Sequence, residues 1–573
     1  MAAPIPTEAR AAEPARRAGW ARRYRWPAVA VALLIAGGGL VAWRTGLLGA
    51  AGPGSADPPH FVEEAQAAGI DHSYSGGFNF FVGGGVAAFD CNNDGRQDLY
   101  LAGGEDPAAL YRNDSPVGGA LRFTALPSPV TDLRDVTGAY PIDIDSDGIT
   151  DLVVLRLGEN LLLRGLGDCR FEQANQAWGF DGGDDWSAAF SATWEAGAAL
   201  PTLAIGNYLT LNPDGTTGLP CTDSWFVRPD AQGTGYAAPL ALSPGYCPLS
   251  MLFSDWNRSG HADLRVSNDR HYYGEASNGE EQLWRIRPGQ APTLYTAAQG
   301  WQTVRVWGMG IASYDLTGDG YPEVYLTSQG DNKLQTLANG PSQPDYKDIA
   351  LSRGVTATRP YAGDTSLPST AWHDEFADVN NDGRADLLVT KGNVDAMADF
   401  ATRDPSDLMI QQPDGTFVEE AEAAGIVSFA KARGAAVADF NLDGMLDMVV
   451  VNRNQNVSLW RNVGWGNATR PAPMGNWIAL RLQQPAPDVD GIGSWVAVTA
   501  GGSTQTREIT IGGGHASGEL GWIHVGIGSA SQAQVTVTWP DGTSSAPLTV
   551  EANTFAIVDR GASEVTPWTP PNP

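Results

Sequence analysis

The chain has 573 residues, of which 65 are acidic and 36 basic, giving a formal charge of −29. So large an acidic excess argues against nucleic acid as a partner, because phosphate backbones are bound by positive surface. Four cysteines without a Cys-x-x-Cys pair argue against zinc and thiol redox chemistry.

At the N-terminus, Arg10, Arg16, Arg17, Arg22, Arg23 and Arg25 precede an uncharged run from Trp26 to Trp43. A helix over that run would be about 27 Å long, enough to cross a hydrocarbon core. Only Arg44 follows closely, so the arginine asymmetry predicts a basic cytoplasmic tail over 1–25 and a transmembrane anchor over 26–43. A cleaved signal peptide is the alternative, with small residues at Gly49-Ala50-Ala51 but no clean Ala-x-Ala site. Residues 44–59 read as a linker. The bulk of the chain is then periplasmic or extracellular if the segment stays as an anchor, and secreted if it is cleaved.

Between residues 60 and 470 a short acidic loop recurs at intervals of about sixty residues. Its clearest copies place oxygen side chains at positions 1, 3, 5 and 9: Asp90, Asn92, Asp94 and Asp98; Asp143, Asp145, Asp147 and Asp151; Asp378, Asn380, Asp382 and Asp386; Asp439, Asn441, Asp443 and Asp447. Two softer copies hold Asp255, Asn257, Ser259 and Asp263, and Asp315, Thr317, Asp319 and Glu323. In the third repeat, from Trp194, only Thr202 at position 9 survives. Hard cations take six to eight oxygens, and alternate carboxylates in a tight turn offer them. An EF-hand is excluded, because position 12 carries Leu101, Val154, Val389 and Val450 and the flanks read as strands. The loops therefore predict about four to six Ca²⁺ ions. Fold stability is expected to depend on them.

A second element, FVEEAQAAGI at 61–70, returns as FVEEAEAAGI at 417–426. Each unit thus contains several short strands, and a lone four-stranded sheet cannot bury both faces. The expected fold class is all-β: a seven-bladed β-propeller with calcium-binding loops, plus a small C-terminal β-sandwich and one N-terminal transmembrane helix. An open solenoid is the alternative architecture. Cys221 and Cys247 flank one long insertion and are the favoured disulfide. Cys91 with Cys169 would join the first two repeats, and four free thiols remain an alternative. Residues 476–560 lose the acidic loop and read as a separate sandwich, and the Pro-rich tail over 561–573 reads as disordered.

The loops resemble FG-GAP/VCBS repeats, the calcium-binding propeller repeats also found in integrin α-subunits. GIGSWVAVTAGG, QTREITIGGGHASG, IHVGIG and VTVTWPDGT resemble the ASPIC/UnbV domain. Together they are similar to the cartilage acidic protein family and its bacterial relatives. The resemblance implies an extracytoplasmic, calcium-binding, adhesion- or matrix-like protein with no established reaction. The chain departs from it at the third loop, at Ser259, and at His515, where the motif usually has an aromatic residue.

No catalytic constellation is expected. His373, Asp374 and Glu375 read as channel or rim residues, with a general base as the alternative. His271-Tyr272-Tyr273 reads as an ordered loop, with sugar stacking as the alternative. Gly512 to Gly514 reads as a turn, and Trp225, Trp256 and Trp301 could line a binding rim. The function these features imply is a membrane-anchored module that binds a protein or glycan outside the cell. A polysaccharide-active hydrolase or lyase using the channel, or a subunit of an envelope complex, is the alternative.

Overall fold

The apolar runs on either side of each acidic loop pair with one another as antiparallel hairpins, and this sets the whole architecture. In the computed structural model, which describes residues 56–212, 216–269 and 279–571, Phe89 faces Asp98 and Ile142 faces Asp151. The same register recurs as Ser254 with Asp263, Tyr314 with Glu323, Ala377 with Asp386 and Ala438 with Asp447. Even the worn third loop keeps it, with Thr193 opposite Thr202. The tail over 1–25, the 26–43 anchor, most of the 44–59 linker and His271 to Tyr273 lie outside the described residues. Among the described residues no helix is long and apolar enough to cross a membrane.

Six of the hairpins continue into two further strands and the last into one, so seven antiparallel units follow along the chain, the third and fourth joined into one sheet through Ile511–Gly512. Their first strands are Val86–Phe89, Val136–Ile142, Ser187–Thr193, Pro248–Ser254, Gly308–Tyr314, Ala371–Ala377 and Lys431–Ala438. Each of these packs on the next, and the last packs on the first, which gives a propeller-like ring. His60–Glu63 closes it as the outermost strand of the seventh unit, with Phe61 opposite Asn462. This explains the repeated FVEE: Phe417–Glu419 is the outermost strand of the sixth unit. The open-solenoid alternative fails, because the end strand that would need a cap is the one completing the ring. Apolar clusters fill the spaces between neighbouring units, as where Val86, Leu99, Val154 and Leu163 meet. Both disulfides form, Cys221–Cys247 in the insertion and Cys91–Cys169 between the first two units.

The C-terminal segment forms two four-stranded sheets, one containing Asn476–Gln483 and the other Trp495–Ala500. Ile478, Leu480, Val496, Val498, Val535 and Val537 fill the space between them. Two expectations are corrected here. As far as Pro571 the tail is ordered: Thr566–Trp568 pairs with Phe555 to Ile557, and the Trp568 ring packs tilted against Trp522 and edge-on against Phe555. The sandwich is not separate, since residues 509–520 leave it and run into the ring.

Candidate functional site

Position 1 of every intact loop does the same local work. Its Oδ2 accepts the backbone N–H of the position-6 glycine at 2.7–2.9 Å in all six copies. Those glycines, Gly95, Gly148, Gly260, Gly320, Gly383 and Gly444, have φ of 78–92°, where a Cβ would strain the turn. Position 9 has a role that the spacing alone did not suggest. Asp98 accepts from the N–H groups of Cys91 and Asn113, both at 2.7 Å. Asp151 accepts from Ile144 and Gly165 at 2.8 Å, and Asp386 and Asp447 repeat the pattern. The closing carboxylate therefore clips the loop to the third strand of its unit.

Position 3 is where the loops are incomplete as polar structures. Asp145 Oδ1, Asn257 Oδ1 and Asn441 Oδ1 are buried and accept no hydrogen bond. Buried oxygens are nearly always satisfied, so these are the atoms a cation would take. Ligand oxygens of Asp143, Asp145 and Asp151 lie within 4.8 Å of one another. Burial first, then the neighbouring loop carboxylates, hold Asp378, Asp386, Asp439 and Asp447 well above the usual carboxylate range. This donor set fits the calcium that the resemblance implies. The fourth loop fits it least: Asp263 is already claimed by Trp256, Tyr295, Ile286 and Arg287 at 2.8–3.0 Å, and Ser259 donates to Asp255. In the third loop a protein cation takes over. Arg228 holds Glu195 through Nε at 2.5 Å and Nη2 at 2.9 Å, and Thr202 donates to the same carboxylate at 2.8 Å. Sequence reading missed Arg228, and the Glu195 surviving in WEAG was the available signal.

The loop face is covered by the sandwich. Trp522 Nε1 donates to Gly95 O in the first loop at 2.9 Å, and the Asp488 N–H donates to Ser146 Oγ in the second at 3.1 Å. The Asp255 N–H donates to Glu508 at 2.8 Å, Tyr314 donates to Gln505 at 3.2 Å, and His524 pairs with Asn381 at 2.6 Å. Trp477 sits so close over Gly444 that a Cβ there would stand 1.7 Å from its Nε1. All the intact loops thus lie beneath, or directly beside, one docked domain.

Residues 509–520 then fill the channel as a hairpin-shaped loop, antiparallel to Ser187–Thr193 at one end and parallel to Val86–Phe89 at the other, and touch all seven first strands. Gly512 pairs with Ser191 and Leu252, Gly513 donates to Met251 O, and Gly514 donates to Ile311 O. His515 N–H donates to His373 Nδ1 at 3.1 Å, and its own Nε2 accepts from Gly83 N–H at 3.1 Å. Gly518–Leu520 runs parallel to Ala87–Phe89, the Ala139 N–H donates to Ala516 O, and Val437 N–H donates to Glu519. The three glycines expected to make a simple turn are the part of the hairpin that needs close approach. His515, standing where the motif usually has an aromatic residue, thus makes hydrogen bonds as well.

His373, Asp374 and Glu375 line the channel as one of the two readings had it. Together with Arg507 and Glu519 they enclose a cavity of about 150 Å³ beneath the hairpin. Burial lowers His373 to about 4 and raises Glu375 to about 8, so both are neutral near pH 7. Trp256 and Trp301 are not a binding rim: both are buried and pack on Tyr346 at 6.2 and 6.3 Å. Trp225 is half-buried against Gly183.

Comparison with known proteins agrees with this division of the chain. The family model described as ASPIC and UnbV matches residues 484–565, and that of an FG-GAP-like repeat matches residues 90–154 and 378–450. Cartilage acidic protein 1 of Homo sapiens is 22% identical over 490 residues, spanning 80% of this chain and 69% of that protein. The Xenopus tropicalis protein is 22% identical over 503 residues, spanning 83% and 73%. Among solved structures, BBS1N in complex with ARL6DN covers 71% of this chain and 97% of its own at 11% identity, with a TM-score of 0.41. The chain carries FG-GAP-like repeats followed by an ASPIC/UnbV domain, and is similar over most of its length to cartilage acidic protein 1.

Proposed function

We propose that this protein is a calcium-dependent binding module of extracellular type, built as a seven-bladed propeller whose ions lie beneath its own C-terminal domain. The observation that carries the reading is the set of buried, unpartnered position-3 oxygens in loops on which the sandwich rests. Ca²⁺ there would supply positive charge to loops that otherwise crowd carboxylates together. Asp143, Asp145 and Asp151 in the second loop, and Asp439, Asn441 and Asp443 in the seventh, would hold it. Calcium would then shape the dock for the sandwich rather than a surface offered to a partner. The partner, a protein or glycan outside the cell, would meet the outer rim or the opposite face. The tether would be the N-terminal 26–43 segment. The reading is of a binding protein rather than an enzyme, and the channel that a polysaccharide cleft would need is occupied by residues 509–520.

Thermal melting with calcium and with excess EDTA tests this. A site held at about 100 times its dissociation constant adds about 2.7 kcal/mol, so several sites should move the melting temperature by many degrees. Native mass spectrometry should count about four to six ions. An EDTA melt that coincides with the calcium melt would end the proposal.

A further inference from the structure

The first strand of each unit runs toward its acidic loop and the second runs back. Residues just before a first strand, or just after a second, therefore surround the channel mouth farthest from the loops. Trp186 precedes Ser187–Thr193, Trp372 lies at the start of Ala371–Ala377, and Tyr208 and Asp269 follow Thr202–Asn207 and Asp263–Asn268. With Phe78, Phe81, Met309 and Met397 they line a mainly apolar cavity of about 140 Å³, to which Gln329 also contributes. The His515 ring lies 5.0 Å from that of Trp372. Trp186 meets Tyr208 edge-on at 4.9 Å and Phe78 at 6.3 Å, and Phe78 remains 51% exposed at the rim.

Two polar atoms in this lining have no partner. Trp186 Nε1 is a buried donor, and Asp269 Oδ1 is a buried acceptor. The other Asp269 oxygen accepts from the Tyr208 hydroxyl at 2.6 Å, which fixes the carboxyl in place. Buried polar atoms normally find partners, so an unfilled donor and an unfilled acceptor in one aromatic pocket define the complement they need. That complement is a group with an apolar face and with hydroxyls, which both give and accept hydrogen bonds. A quaternary ammonium would suit the aromatic faces and the carboxylate but leave the indole N–H unpaired.

We propose that this mouth binds the terminal sugar ring of a glycan, its C–H face against the aromatic side chains and its hydroxyls between Trp186 Nε1 and Asp269 Oδ1. The small volume admits a chain end rather than a mid-chain segment. The proposal rests on the binding-module reading above and gives it a ligand class and a location independent of the calcium loops.

The test is calorimetric titration of the full-length, calcium-loaded chain with methyl glycosides of glucose, galactose, mannose, fucose and N-acetylglucosamine, alongside tetramethylammonium. At least one glycoside should bind. Phe78→Ala, at the exposed rim, and Trp186→Phe, which removes only the N–H and part of the ring, should each weaken it about tenfold. The melting temperature of Phe78→Ala should match the wild type, so its loss reports the pocket rather than folding. Binding of tetramethylammonium alone, or of no probe, overturns the proposal. Glycoside binding unchanged in both variants overturns this pocket while leaving the module reading in place, and an EDTA-insensitive melt with a working pocket does the reverse.

Discussion

Asp151 and Asp145 belong to the same loop and share a residue type, yet the structure gives them different work. Asp151 holds two backbone N–H groups at 2.8 Å, whereas Asp145 keeps one buried oxygen without a donor. Asp151→Ala should therefore cost about 2–4 kcal/mol even in EDTA, where two backbone N–H groups lose their acceptor, and more in calcium, where a ligand is lost as well. Asp145→Ala should lower stability chiefly when calcium is present, and paired urea titrations with and without EDTA would separate the two. His515 makes a different prediction. Burial first, then the Arg433 charge, lowers it from 6.5 to about 3. Its stabilising effect is complete above pH 6.5 and is lost as pH falls toward 3, because the unfolded chain takes up a proton that the folded chain refuses. Between pH 7.5 and pH 5 the wild type should lose about 2 kcal/mol relative to His515→Phe, read from urea midpoints. The ligand types at positions 1, 3, 5 and 9 were legible in the sequence. The split between clip and candidate ligand was not, because it depends on N–H groups about fifteen residues further along, on the next strand.

Two elements did something their composition alone did not announce. Gly512 to Gly514 read as a turn, yet they belong to a segment that threads a channel where backbone must pass close to backbone. Gly85 is the tightest point, because a Cβ there would stand 1.7 Å from Ala516 O. Gly85→Ala should thus displace the hairpin and cost at least about 2–3 kcal/mol, with residues 509–520 becoming cleavable in limited proteolysis. Small residues precede several loops, as in VGGGVAAF and WGMGIASY, but what crowds them was invisible until the C-terminal segment was in place. The worn third loop is the complementary case. Arg228 and Glu195 are only 19% and 10% exposed, so Arg228→Ala leaves a largely buried carboxylate unpaired. The expected loss is about 1–3 kcal/mol, with the calcium-induced shift in melting temperature unchanged.

For the molecule as a whole, ring and sandwich share so much buried contact that they should unfold together. Calorimetry of the full chain should show one transition, and deleting residues 476–573 should lower its midpoint, because the channel loses its filling and the loop face its cover. Two well-separated transitions would show that the hairpin adds no coupling. The repeat spacing, the strand–loop–strand units, the loss of the motif after residue 470 and the favoured disulfide all follow from local pattern: periodic side chains and turn glycines act within one hairpin, so neighbouring residues suffice to reveal them. Other features arise between segments hundreds of residues apart. The His60–Glu63 strand closes the seventh unit, a segment near residue 515 fills a channel built from residue 86 onward, and Trp186 and Asp269 come to face one space. Such meetings depend on how the ring curves and where the chain re-enters it, and no local periodicity encodes that.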